Sequence, residues 1–297
     1  MKFKEFKERI NQEGYYVSDD FILYNAYLSI KDMGTLQSQK ISSLLLDGPP
    51  GAGKTFLAQI LAKITGSKLI KYQFTAGSGV EDILYDLDIH KIVEGMGGQK
   101  QDTIYLDGVL PRAIKTSHSK KVILLLDEMD KASPKTDAFL LDFLQNGELY
   151  NPHLGELKAN EANLFVVITK NNERLLSEPL MRRIRRLYLS FPAKGIEERI
   201  VREAIPSFPI IATKTLIGLA NKIRDMRGTK WEPLKVPSTP ELIRCARDIL
   251  SSIKEGVKKA LIGEIIRQWL IAYIEDIDIL SETPKHLGGQ FKSYFQS

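Results

Sequence analysis

Short, wholly apolar runs alternate along this chain with longer stretches whose apolar residues recur every three or four positions. Ile41-Ser-Ser-Leu-Leu-Leu46 is stopped by Asp47-Gly48-Pro49-Pro50, Val122-Ile-Leu-Leu-Leu126 by Asp127-Glu128, and Leu164-Phe-Val-Val-Ile168 by Thr169-Lys-Asn-Asn172. Runs this short with abrupt polar stops predict strands buried on both faces. A fourth, Arg186-Leu-Tyr-Leu-Ser-Phe191, ends at Pro192. Thr55 to Ile64 has helical spacing through Phe56, Leu57, Ile60, Leu61 and Ile64. Residues 3–33 read as two helices divided by Gly14, with Ser18-Asp19-Asp20 capping the second. Strands each followed by a helical stretch predict an α/β domain with a parallel sheet covered on both faces. Past Gly195 only helical spacing remains, which predicts a smaller all-helical domain. The expected division is therefore residues 1–194 and 195–297.

Ligands of such sheets bind beyond the carboxyl ends of the strands, which is where the polar stops lie. The first stop opens Gly48-Pro-Pro-Gly-Ala-Gly53-Lys54-Thr55, a G-x-x-x-x-G-K-[ST] motif between a strand and a helix. Its glycines let backbone N–H groups turn inward around phosphates, and the helix N-terminus adds a positive end. The run Pro50, Gly51, Ala52, Gly53, Lys54, Thr55 and Phe56 is the expected nucleotide-binding segment. Lys54 is expected to reach the β and γ phosphates, and the Thr55 hydroxyl to hold Mg²⁺. Chance alone would place this motif in roughly one chain in a hundred of this length, before its strand–helix setting is considered.

The second stop supplies a carboxylate pair. Asp127 is expected in the Mg²⁺ shell, and Glu128 is expected to polarise the attacking water. Two acids capping the next helix would look the same locally; the upstream phosphate loop decides for the functional reading. The third stop places Asn171 where it could orient that water, although Asn is also a common turn residue. Arg182 and Arg183 lie too far along the chain to belong obviously to their own phosphate site. An arginine finger reaching a neighbour's γ-phosphate would explain them, and a basic helix end is the structural alternative.

Composition changes this picture little. The formal net charge is +5 and the pI about 9.0, with basic residues scattered among acids, so a solvated mixed-charge surface is favoured over a nucleic-acid groove. Cys245 is the only cysteine, which rules out an intrachain disulfide or a thiolate zinc site, and it sits on an apolar helical face. The four histidines, His90, His118, His153 and His286, lack metal-ligand spacing. Leu261 to Leu280 carries five charges among its apolar residues and reads as a soluble helix, so a cytoplasmic protein is expected. Gly95-Met-Gly-Gly98 reads as a mobile loop and Leu287-Gly-Gly-Gln290 as a flexible tail.

The phosphate loop, ILLLDEMDKAS, VVITKNN and LSEPLMRRI stand in the order and spacing of AAA+ ATPases. More narrowly the chain resembles their MoxR-like, dynein-related group. The further matches are Tyr15-Tyr16-Val17-Ser18, Tyr72-Gln-Phe74 on a second strand, Gly108-Val-Leu110, and Ala132-Ser-Pro-Lys-Thr136 leading into Phe139-Leu-Leu-Asp-Phe-Leu144. The resemblance runs over about residues 14 to 250. It implies a P-loop NTPase three-layer domain followed by a helical lid, and a homo-oligomeric ring, usually a hexamer, holding ATP and Mg²⁺ between subunits. By position, Asn171 corresponds to sensor 1 and Arg183 to the arginine finger with Arg182 beside it, while Tyr16 and Val17 would lie near the adenine. Gly147 to Asn163 corresponds to the hairpin before sensor 1, and Gly95 to Asp102 to an insert facing the pore or a partner. The usual sensor 2 arginine falls near Pro240-Glu241 here, with Arg244 and Arg247 as substitutes.

The implied function is a mechanochemical ATPase that remodels or matures a separate protein partner, as relatives do with von Willebrand factor A domain proteins. The alternative is a nucleic-acid-associated, NTP-driven motor subunit such as that of a restriction system. A nucleotide-gated assembly protein with poor turnover is a third reading, against which Lys54, Asp127, Glu128 and Arg183 argue.

Overall fold

The computed structural model describes residues 1–17, 19–31, 33, 41–88, 90, 105–151, 153, 155–171, 173–226, 236–270 and 284–295. By internal contacts the chain forms two units, Met1–Tyr15 with Asp19–Ser190, and Tyr16–Ser18 with Phe191–Ser297. In chain order the first unit holds α1 (Phe3–Gln12), α2 (Asp20–Ile30), β1 (Ser42–Asp47), α3 (Lys54–Thr65), β2 (Lys68–Gln73), α4 (Glu81–Leu84), β3 (Tyr85–Leu87) and β4 (Tyr105–Asp107). It continues with α5 (Val109–Ser117), β5 (Val122–Asp127), α6 (Pro134–Asn146), β6 (Glu148–Asn151), β7 (Gly155–Lys158), β8 (Leu164–Lys170), α7 (Glu178–Met181) and β9 (Arg185–Tyr188). The second holds α8 (Lys194–Ala204), α9 (Ile210–Asp225), α10 (Thr239–Lys254), α11 (Lys259–Leu270) and α12 (Pro284–Ser293).

Apolar strands make the first unit's core. Leu44–Leu46, Val122–Leu126 and Leu164–Ile168 are all at most 1 % exposed, and each side chain so buried contributes roughly 1.5–3 kcal/mol. They belong to a five-stranded sheet of order β2-β5-β8-β1-β9 in which every neighbour is parallel. The α/β fold with a parallel central sheet is thus as expected. The register sets Gln73 beside Asp127 and Asp47 beside Lys170, so the strands end together at one rim. Asp19 caps α2 by accepting from the Phe21 N–H at 2.8 Å.

Three details differ from the sequence pattern. Strand β2, Lys-Leu-Ile-Lys-Tyr-Gln, escapes a search for apolar runs because it is the sheet edge, where Lys68, Lys71 and Gln73 are exposed and only Ile70 is buried. The resemblance placed Tyr72-Gln-Phe74 on a second strand; β2 contains Tyr72 and Gln73, and Phe74 follows it, fully buried. Strand β9 ends at Tyr188, before Phe191, which belongs to the second unit. The segment Gly147 to Asn163 contains the antiparallel pair β6–β7. Gly95 to Asp102, Asn172 and residues 271–280 lie outside the described residues.

The second unit packs Val201, Leu216, Leu242, Cys245, Ile249, Ile262 and Ile266 into its own core. Cys245 is fully buried, and burial pushes its thiol pKa up. The Leu287-Gly-Gly-Gln290 stretch is helical rather than a flexible tail. Its helix is anchored by Phe291, at 0 % exposure, with Tyr294 and Phe295 packed on the same core, an anchor that outweighs the helix cost of two glycines. A buried ion pair joins three segments: Arg224 donates to both carboxylate oxygens of Glu197 at 2.8 and 2.9 Å and to the Pro237 carbonyl at 2.8 Å, while the Thr239 hydroxyl donates to Glu197 at 2.6 Å. Among the described residues no helix is long and apolar enough to cross a membrane.

Removing Glu197 would leave the Arg224 guanidinium, 9 % exposed, without its counter-charge. Glu197→Ala is expected to destabilise the helical unit by about 3–5 kcal/mol, read as a shift in its urea midpoint.

Candidate functional site

The turn after β1 is shaped by glycine. Gly48, Gly51 and Gly53 have φ of +145°, +77° and +85°, a region that L side chains rarely adopt. At Gly48 the space is closed as well, since an added Cβ would lie 2.0 Å from the Leu189 carbonyl oxygen. Lys54 folds back on this loop, donating to the Gly48 and Pro49 carbonyls at 2.7 and 2.8 Å. Burial lowers its pKa to about 8, against the opposing pull of Asp130, Asp127, Asp47 and Glu128. Pro50, Gly51 and Phe56 are exposed at the mouth, and Ala52 is buried. Tyr15 backs the loop: its ring would lie 3.1 Å from a Cβ at Gly53 and is 5.9 Å from the Phe56 ring.

Asp127, 4 % exposed, stands opposite. Oδ1 accepts from the Thr55 hydroxyl at 2.8 Å and the Thr169 hydroxyl at 2.7 Å, and Oδ2 pairs with Lys71 at 2.7 Å. Burial alone would raise its pKa; these donors together outweigh that and hold it below the ordinary value. An ionised carboxylate offers about four acceptor positions, so three donors leave one open. The adjacent oxygens of Thr55 and Asp127 are hard donors that fit Mg²⁺, which takes one or two protein oxygens and completes its shell with phosphate and water.

Glu128 has φ +57° and ψ +46°, the left-handed region, and is the one non-glycine residue with positive φ among those described. Such a backbone is costly and persists only where its surroundings fix it. The fixing groups are identifiable: the Glu128 N–H donates to Thr169 at 2.8 Å, and its carboxylate accepts from Gln73 at 3.1 Å, Lys131 at 2.8 Å and Asn171 at 3.2 Å. Desolvation pushes its pKa up, but those donors prevail and keep it low.

Asn171 is itself held from below. Asp130, which the sequence pattern does not single out, accepts from the N–H groups of Asn171 and Glu173, both at 2.8 Å. Arg174 was likewise missed: it donates to both oxygens of Asp137 at 2.9 and 2.7 Å and to the Ala132 carbonyl at 3.0 Å, tying the segment after β8 to α6. The signal for Asp130 is its place three residues past Asp127 in ILLLDEMDKAS; nothing local marks Arg174.

The structure therefore gathers Lys54, Thr55, Asp127, Glu128 and Asn171 at the carboxyl rim of the sheet. Arg182 and Arg183 stand apart and exposed. Arg182 pairs with Glu178 on α7, and Arg183 meets the side-chain oxygen of Gln145. Tyr16 takes its partners within the second unit, with the Arg199 guanidinium 3.9 Å from its ring centroid and Glu203 accepting its hydroxyl at 3.1 Å. Val17 falls in the same unit. Glu241, at the position where a sensor 2 arginine is common, instead completes a capping box with Ser238 at the start of α10. Arg244 and Arg247 are exposed on that helix, Arg244 at 6.0 Å from the Trp269 ring centroid.

Residues 43–186 match the family model of the AAA domain, dynein-related subfamily. Similar proteins include uncharacterized proteins of Staphylococcus aureus (strain bovine RF122), 21 % identical over 84 % of this chain and 92 % of the relative, and of Staphylococcus epidermidis, 23 % identical over 75 % and 84 %. Among solved structures, a point mutant of Thermotoga maritima RuvB is similar at 16 % identity, covering 86 % of this chain and 79 % of that one, with a TM-score of 0.47.

A triphosphate bound beside Lys54 would restore its ammonium form. At pH 8 a half-protonated Lys54 should take up about half a proton per site on binding, an uptake that fades toward pH 6.5. Calorimetry in buffers of different ionisation enthalpy measures this directly; Lys54→Met is expected to abolish the uptake.

Proposed function

We propose that this protein is an ATPase that hydrolyses Mg-ATP at the interfaces of a homo-oligomeric ring, hexameric by analogy, and couples turnover to remodelling or maturing a separate protein partner in the manner of MoxR-like chaperones. The observation that carries the hydrolytic part is Glu128. Its carboxylate is ionised, fixed by Gln73, Lys131 and Asn171, and set next to the Thr55–Asp127 oxygen pair. Those three donors leave about one acceptor position on Oε1, on the side that Asn171 also faces.

In this reading the loop N–H groups and Lys54 bind the β and γ phosphates, Lys54 leaving the Gly48 and Pro49 carbonyls to do so. Thr55 and Asp127 would hold Mg²⁺, which would supply charge neutralisation on the phosphates. Glu128 accepts the proton of the attacking water while Asn171 orients it. The new bond joins the water oxygen to the γ phosphorus, and the bond to the β–γ bridging oxygen breaks. Arg183, with Arg182 beside it, is exposed, and in this reading it exchanges its Gln145 contact for a neighbouring subunit's nucleotide.

Steady-state hydrolysis measured against protein concentration, with sizing of the same samples, tests the shared-site arrangement. Specific activity should climb as the ring forms; concentration-independent activity in a monomer would overturn it. Glu128→Gln should bind ATP and lose about 10²–10⁴-fold in turnover. Arg183→Ala should lose about 10³–10⁵-fold, with partial recovery when the two variants are mixed.

A further inference from the structure

At the same rim lies a second charged cluster to which the proposed mechanism gives no part. Asp47 is the last residue of β1 and Lys170 the last of β8; they are register partners, 0 % and 2 % exposed. Lys170 Nζ stands 3.2 Å from Asp47 Oδ1, and Arg186, from β9, meets Oδ2. Each member borders a segment the site depends on. Asp47 precedes Gly48, whose carbonyl receives Lys54. Lys170 precedes Asn171, and Arg186 follows Arg183 by three residues. The backbone reinforces the link, because the Leu189 N–H donates to the Asp47 carbonyl at 2.7 Å and Gly48 abuts the Leu189 carbonyl.

Net stability does not account for charges at these positions. Burying an ion pair costs desolvation that its mutual attraction only partly returns, and an apolar pair of similar volume is often as stable. Every residue just before Asp47, from Leu44 to Leu46, is apolar, so the sheet could have ended β1 in the same way. What the carboxylate adds is direction, since the Arg186 hydrogen bond to Oδ2 and the Lys170 ion pair at Oδ1 fix where these partners stand relative to it. Arg186, half exposed on β9, is the member that lies nearest in the chain to the turn carrying Arg182 and Arg183.

We infer that Asp47, Lys170 and Arg186 are positioning residues: a relay that sets the phosphate loop against Asn171 and transmits the placement of the Arg182–Arg183 turn to it. The inference rests on the ATPase reading above. Through this relay, a subunit whose arginines engage a neighbour's nucleotide adjusts its own phosphate loop, which makes hydrolysis cooperative around the ring.

The test removes the two buried charges together and leaves Arg186, which is half exposed, to solvent. Asp47→Leu combined with Lys170→Met should keep a cooperative thermal transition and hold the Kd of a fluorescent ATP analogue within about threefold. Its kcat should fall at least about tenfold, as small misplacements in an active site do. Arg186→Met should lower the Hill coefficient of ATP-dependent hydrolysis toward one, and Arg186→Lys should restore it. If the double variant does not fold, the Arg186 pair decides: an unchanged Hill coefficient in Arg186→Met overturns the relay. A folded double variant with kcat within about twofold of wild type overturns it as well. Wild-type protein that does not hydrolyse ATP would remove the ATPase reading and the relay together. Wild-type turnover that Glu128→Gln abolishes but the double variant retains would sink the relay alone.

Discussion

A carboxylate at the end of a strand buried along its whole length sets the terms for the rest of this site. Asp127 is ionised and nearly inaccessible, so its lone pairs must be met by groups the fold brings to it. They come from three places: Thr55 at the start of α3, Thr169 on β8 and Lys71 on the edge strand. One side chain thereby fixes the phosphate-loop helix, the strand that leads to Asn171 and the margin of the sheet relative to one another. The apolar strands supply the rigidity, and Asp127 makes that rigidity specify a geometry.

Glu128 shows the same logic in the backbone. A left-handed conformation in a residue with a Cβ is unfavourable, and here it turns the carboxylate toward Gln73, Lys131 and Asn171. The Thr169 hydroxyl serves both acids, receiving the Glu128 N–H and donating to Asp127. Below them Asp130 pins the Asn171 and Glu173 amides, and Asp137 holds Arg174, so the segment running toward Arg182 and Arg183 leaves the sheet along a defined path. The charged cluster at Asp47 lies on the other side of that same rim. Polar groups buried at strand ends, rather than loops alone, set the positions of Thr55, Glu128 and Asn171.

Much of the unit around the phosphate loop was legible in the chain. Parallel strands buried on both faces read as continuous apolar runs, which is why β1, β5 and β8 stand where the pattern puts them, and the polar stops mark the rim. Strand β2 escaped that pattern for the opposite reason, and only the family resemblance pointed to it: on this edge strand Lys68, Lys71 and Gln73 interrupt the apolar residues and leave no such run. The helix through Leu287-Gly-Gly-Gln290 was obscured because glycine argues for flexibility locally, while the anchor that orders it, Phe291, acts through contacts distant in sequence. Tyr15 against Gly53, and Tyr16 among the residues of α8, could not be told apart either, since neighbouring tyrosines look alike until the chain has folded.

The sequence by itself determined the α/β architecture of the first unit and the rim where Lys54, Thr55, Asp127, Glu128 and Asn171 gather, because both follow from short-range patterns: apolar runs, their polar stops, and glycines at a turn whose φ values are positive. Only the tertiary structure decided which partners hold those residues. The donors to Asp127 come from positions 55, 71 and 169, those to Glu128 from positions 73, 131 and 171, and the counter-charges of Asp47 from positions 170 and 186. Apart from the local Glu128–Lys131 contact, those pairings depend on strand order and register, which bring together residues far apart along the chain and leave no trace in its spacing.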